Sequence, residues 1–114
     1  MTSTDQPEII AETDGAIGRI TINRPAKRNA MTLGMWRHLG DLLENWQSSD
    51  SIRVIILAGA GDKSFCAGND IKEYASIRAT AEQRVAYDAV TTRTYSLLKN
   101  FPRPTIARVT GYCV

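Results

Sequence analysis

Four consecutive apolar residues, Val54-Ile55-Ile56-Leu57, sit between an amphipathic stretch and the glycine-rich turn Gly59-Ala60-Gly61. An apolar run without alternation predicts a strand over residues 52–58 that is covered on both faces, as in a parallel sheet with helices against it. That segment sets the fold class as α/β, and the flanking segments have to supply its neighbours and its covers.

Upstream, residues 8–13 and 16–23 are two Ile- and Thr-rich stretches joined by Asp14-Gly15, a pair that tolerates the positive φ angles of a tight turn. They predict a β-hairpin, with Ile20 and Ile22 inward and Arg19, Thr21 and Asn23 on the other side. Thr32 then marks a helix start. Its hydroxyl can accept from the first turn, and Met31 and Trp36 are spaced as a hydrophobic staple. Met35, Trp36, Leu39, Leu42, Leu43 and Trp46 fall in one stripe of that helix, outside which lie Arg37, His38, Asp41, Glu44 and Asn45. Downstream, a short helix is expected from Ile71. A longer one is expected from Ala81, with Thr80 and Gln83 spaced as a capping box and Pro102 as its stop. A last strand is expected over residues 105–110. Strand, helix, strand, helix, strand implies α/β layering with right-handed crossovers, to which the hairpin is an addition.

A chain of 114 residues suits one small domain, and 43% hydrophobic with 23% charged residues excludes a disordered or fibrous chain. Residues 1–7 are expected as a loose tail and residues 8–114 as one unit. The net charge of +2 is too small to recruit a polyanion by field alone, so an anion site must be local. A pI near 8.7, with neither a basic stripe nor a stacking platform, gives no support to a nucleic-acid partner. Two cysteines and no signal-like N-terminus point to a reducing, cytoplasmic setting, and no apolar run is long enough to enter a membrane.

Several local patterns fail as chemistry. Gly59-Ala60-Gly61-Asp62-Lys63-Ser64 follows a buried strand, but Asp62 stands where a P-loop needs glycine and Ser64 where a dinucleotide fingerprint does. It reads as a surface turn. His38, the only histidine, falls on the polar face of its helix, which argues against a metal site or a catalytic triad. Cys66 and Cys113 have no histidine near them in sequence and read as packing residues.

Ser64-Phe65-Cys66-Ala67-Gly68-Asn69-Asp70-Ile71-Lys72-Glu73 says more, because a glycine-containing turn runs directly into a helix start marked by Asp70 and Glu73. Gly68 can bend the backbone without a side chain in the way, and the N–H of Asn69 can face an oxygen that gains negative charge. Spacing alone leaves open a capped loop with no ligand at all.

Three segments together, residues 23–31, 65–71 and 103–114, resemble the crotonase family of enoyl-CoA hydratases and isomerases. They read Asn-Arg-Pro-Ala-Lys-Arg-Asn-Ala-Met, Phe-Cys-Ala-Gly-Asn-Asp-Ile and Arg-Pro-Thr-Ile-Ala-Arg-Val-Thr-Gly-Tyr-Cys-Val. The resemblance implies the first half of a spiral of ββα units and an acyl-CoA thioester substrate. It implies an oxyanion hole of two backbone N–H groups, one of them on Asn69, with Gly68 and Asp70 shaping the turn. It also implies a CoA-lining loop with Arg24, Lys27 and Arg28 as cations, and Ala30, Ala67 and Ile71 beside the substrate. No metal is expected, and no cofactor beyond the coenzyme A of the substrate. In the family the second donor and the proton-transferring glutamates come after the equivalent of Val114, so the chain is expected to be a truncated acyl-CoA-binding domain, inactive alone. The complete protein would then be a homotrimer or hexamer and an enoyl-CoA hydratase. Isomerase or other crotonase chemistry, or a non-catalytic CoA-binding module, are the alternatives.

Overall fold

The computed structural model describes residues 7–113. Of the expected tail, residues 1–6 lie outside the described residues, as does Val114, and the Pro7 carbonyl accepts from Asn23 Nδ2 at 3.0 Å.

β1 (Ile9–Asp14) and β2 (Ile17–Ile22) form the antiparallel hairpin, with Asp14 opposite Ile17. The turn is Gly15-Ala16, one residue later than expected. Of the two only Gly15 has a positive φ, 61°, the pattern of a type II′ turn with glycine in the first central position. β3 (Val54–Gly59) pairs parallel with β2, and β5 (Thr105–Arg108) pairs parallel with β3, so the sheet runs β1-β2-β3-β5.

α1 (Leu33–Gln47) lies on one face of this sheet. Thr32 caps it, accepting from Met35 N at 3.2 Å, and the stapling pair Met31 and Trp36 is buried. The expected stripe is buried except Leu42, which is partly covered. It packs on Ile20, Ile22, Ile55 and Leu57, while Gly18 leaves room for the Trp46 ring. Leu43, at 0% exposure, is at the centre. After β3 come α2 (Ile71–Ile77) and α3 (Ala81–Lys99), the latter begun by the Thr80–Gln83 capping box.

The expected burial of β3 on both faces does not hold for the described residues: Ile55 is buried, but Val54, Ile56 and Leu57 are only partly covered. The reason is where the second long helix goes. α3 packs on α1 rather than across the sheet, so Ile56 and Ala58 share an open face with Arg19, Thr21 and Arg108. The sequence also gave no sign of a second, two-stranded sheet. β4 (Ser64–Cys66) and β6 (Tyr112–Cys113) pair in parallel, and β5 ends at Arg108 instead of residue 110. Strands of three and two residues are too short to show a period. Gly111, at φ 69° and pressed against the Lys63 carbonyl, permits the approach.

Gly40 sits at the crossing of α1 and α3, where a Cβ would come within 2.6 Å of Thr94 Oγ1 and 2.7 Å of Arg93 Nη1. Thr94 is buried and donates to the Trp36 carbonyl at 2.7 Å. Helix propensity alone favours Ala over Gly by about 1 kcal/mol, but overpacking a fixed contact costs about 1–3 kcal/mol. Gly40→Ala is therefore expected to destabilise by about 1 kcal/mol in urea unfolding; a gain in stability would show that the two helices separate freely.

Candidate functional site

The site is built where two loops run side by side. The first leaves β2 through Arg24 and a 3₁₀ turn, Pro25–Lys27, and then places Arg28 and Asn29 in the left-handed region, at φ 54° and 58°. Non-glycine residues in that region cost about 1–3 kcal/mol and persist only where the surroundings hold them. Asn29 is so held. At 0% exposure, its Oδ1 accepts from Arg24 N at 2.8 Å, and its Nδ2 donates to Ala60 O at 3.0 Å and Ser64 O at 2.7 Å. Ser64 Oγ in turn donates to Arg28 O at 2.8 Å. The turn after β3, expected to be a plain surface turn, is thus the clamp for this loop. A Cβ on Gly59 would come within 2.6 Å of Ser64 O, which accounts for glycine at the strand end.

The second loop is the glycine turn. Ala67 N donates to Arg28 O at 3.0 Å, Met31 N to Gly68 O at 2.8 Å, and Asp70 N to Met31 O at 2.9 Å. Met31 and Asn69 thereby form a parallel bridge. In a trans peptide unit the C=O and N–H point in opposite directions. Since Met31 holds the Gly68 carbonyl, the N–H of the next residue, Asn69, is turned to the other side. Among the described residues that N–H makes no hydrogen bond. Gly68 has φ 93°, and a Cβ there would meet nothing within 4 Å, so glycine is needed for the backbone angle rather than for room.

Asp70 caps α2, its Oδ1 accepting from Glu73 N at 3.1 Å. Its Oδ2 takes Arg24 Nη1 at 3.0 Å. The Glu73 N–H first, and then the Arg24 guanidinium, hold the Asp70 carboxyl below its usual value. Glu73 Oε1 accepts from Leu33 N at 2.6 Å, tying the start of α1 to α2. Trp36 Nε1 donates to Asn69 Oδ1 at 2.8 Å.

A cleft of about 260 Å³ opens here. Seven residues expected at the site line it: Lys27, Arg28, Ala30, Ala67, Asn69, Asp70 and Ile71. Gly68 does not line it, and neither does Arg24. Against expectation, the Arg24 side chain is only 15% exposed and is committed to Asp70, to Ala30 O at 2.8 Å, and to Glu8 at 3.4 Å. Its charge holds the loops together. Lys27 and Arg28 take part in no ion pair among the described residues, nor does Lys72, which also lines the cleft. Arg28 and Lys63 continue the basic rim into an adjoining hollow of about 520 Å³ beside Tyr112.

Lys72, Lys63, Asn29, Trp36 and Glu73 were not singled out as site residues from the sequence. Lys72 and Lys63 carried a signal, since each is a cation close after a glycine-containing turn, Gly68 for Lys72 and Gly59-Ala60-Gly61 for Lys63; the other three act through contacts more than 30 residues away. His38 is exposed, as expected. Cys66 packs against the core, where burial pushes its thiol above the ordinary value. Cys113, expected to be packed, is exposed. The described residues contain no cluster of ligands fit for a metal ion, and no described helix is long and apolar enough to cross a membrane.

The profile of the enoyl-CoA hydratase/isomerase family matches residues 17–114. The chain belongs to that family. Its crotonase fold is shared with an enoyl-CoA hydratase/carnithine racemase from Magnetospirillum magneticum, at a TM-score of 0.87 and 41% identity over 94% of this chain and 40% of the other. The mitochondrial 3-hydroxyisobutyryl-CoA hydrolase of Danio rerio is 43% identical across 66% of this chain and 20% of its own length. Enoyl-CoA delta isomerase 2 of Rattus norvegicus is 32% identical across 93% of this chain and 27% of its own. The chain thus spans well under half the length of these crotonase-family proteins, whose names cover hydration, isomerisation and hydrolysis of CoA esters.

A carboxyl held below its ordinary value stabilises the fold above that value and loses the contribution as pH falls through the lower one. The Asp70 cap and its Arg24 link are therefore expected to persist throughout the neutral range. The Asp70 side chain should titrate by NMR with a midpoint below the ordinary 3.8; a midpoint at or above it would refute those bonds.

Proposed function

We propose that this chain carries the oxyanion-stabilising half of an acyl-CoA active site, and that the complete protein is an enoyl-CoA hydratase. The observation that carries the reading is the N–H of Asn69, which makes no hydrogen bond among the described residues, on a peptide plane fixed by Met31, beside a cleft with a basic rim.

Adding water across the α,β double bond of an enoyl thioester moves negative charge onto the thioester oxygen. A donor already aimed at that oxygen need not reorganise as the charge appears, and removing one such donor typically costs about 10²- to 10³-fold in rate. The Asn69 N–H is such a donor. The Gly68 carbonyl of the same peptide unit is itself bonded, which polarises the N–H further. Lys27, Arg28 and Lys72 would face the phosphates and pantetheine of the CoA, where unpaired cations act as point charges or, for Arg28, as a planar fork. Ile71, 82% exposed beside the donor, offers apolar surface to the acyl group. Coenzyme A enters as part of the substrate and no further cofactor is required by this scheme. By the family pattern the second N–H donor and the glutamates that move protons are expected after residue 114, and the working protein is a homotrimer or hexamer. We read its setting as cytoplasmic.

The isomerase and the hydrolase among the relatives give the rival reading, because enolate or oxyanion stabilisation by the same N–H would serve either reaction. The proton-transfer groups decide between them. A third reading, a module that binds CoA without chemistry, rests on the basic rim alone.

Two variants test the proposal in protein made from the complete reading frame. Asn69→Pro removes the donor, and crotonyl-CoA hydration should fall about 10²- to 10³-fold while CoA binding weakens far less; an unchanged rate in a folded variant would end the assignment. Lys27→Ala should raise the Kd for CoA and flatten its dependence on salt, and if both stay as they were the loop is merely solvated.

A further inference from the structure

Trp36 lies in the apolar stripe of α1, yet its one polar atom is committed to a residue of the candidate site. Its ring is buried, with its centroid 4.8 Å from that of Tyr95 on α3, and Nε1 donates to Asn69 Oδ1 at 2.8 Å. An indole N–H can only donate, so the chemistry of the pair fixes the Asn69 amide with its oxygen towards the ring.

The Gly68–Asn69 peptide unit has two hinges. On one side is Gly68, which lacks a side chain and has open space around it, so it resists rotation least of all residues. On the other is the Asn69 Cα, whose own side chain is held by Trp36. Met31 anchors the carbonyl end of the unit and Trp36 anchors the residue at its N–H end. Met31 precedes the Thr32 cap and Trp36 is the fourth helical residue after it, so both anchors come from one helix start.

We infer that Trp36 is a positioning residue for the oxyanion donor, acting through the side-chain amide of Asn69. The inference rests on the assignment of the Asn69 N–H made above. Packing alone does not require this bond, since a phenylalanine would fill nearly the same place against Tyr95. Catalytic donors work within about 0.5 Å of their productive geometry, and a tether on a helix supplies that tolerance where a glycine turn does not.

Trp36→Phe keeps the aromatic contact and removes the donor. In protein made from the complete reading frame, kcat for crotonyl-CoA should fall about tenfold with KM within about twofold. Asn69→Ala keeps the backbone N–H, removes the acceptor without touching the core, and should lose the same. The double variant should lose no more than either single one, because both break one link. Unchanged kcat in Asn69→Ala, or losses that multiply in the double variant, would overturn the inference. If the wild-type protein turns over no enoyl-CoA, the functional reading fails by itself and the tether is judged by ¹⁵N relaxation. The Asn69 amide should then show an order parameter of about 0.85 in the wild type and a lower one in Asn69→Ala, with Ile55 unchanged in both; equal values at residue 69 would overturn it.

Discussion

The parallel bridge between Met31 and Asn69 is the constraint on which the rest of the site depends. It consists of two backbone hydrogen bonds and needs no side chain, and it joins the loop after the hairpin to the turn before α2. Because a peptide unit is planar, bonding one carbonyl to Met31 also decides where the following N–H points. The direction of a proposed catalytic group is thus set by the group behind it. Everything else around the bridge keeps these two strands of chain in register: Asn29 from below, Asp70 and Arg24 at the flank, and Glu73 across the start of α1.

The cations divide into two kinds by the acceptors they find. Arg24 is enclosed by Asp70, Glu8 and the Ala30 carbonyl, which use its planar donor fork to brace the loops. Lys27, Arg28 and Lys72 find no carboxylate among the described residues and remain at the mouth of the cleft. A charge with no internal partner keeps its hydration and its reach, and an incoming phosphate can take it without breaking an ion pair. The same arrangement gives the cleft a local positive field in a chain whose net charge is only +2.

Much of the fold was legible because it follows from patterns a few residues long. The Thr32 and Thr80 caps, the α1 stripe and the stop at Pro102 are read from neighbours three or four positions apart. The hairpin turn slipped by one residue, since both Asp14-Gly15 and Gly15-Ala16 place glycine where a positive φ is needed. The strands β4 and β6 were missed because two or three residues carry no period, and the partial exposure of β3 because no local pattern says which layer α3 will join. Within the site, Lys27, Arg28, Ala30, Ala67, Asn69 and Ile71 converge on the cleft where the family resemblance had grouped them, whereas Arg24 turned inward.

By itself the sequence determined the elements, the glycine-bent turn at Gly68 and the family to which the chain belongs, since these rest on residue types at short fixed spacings. Only the tertiary structure decided which cation braces and which is free, why Asn29 can sit buried in a left-handed conformation, and which way the Asn69 N–H faces. Those outcomes depend on bonds between residues 24 and 70, 29 and 64, 31 and 68, and 36 and 69. Separations of 33 to 46 residues lie beyond any local preference of the backbone, and are set only when the sheet and α1 bring the two loops together.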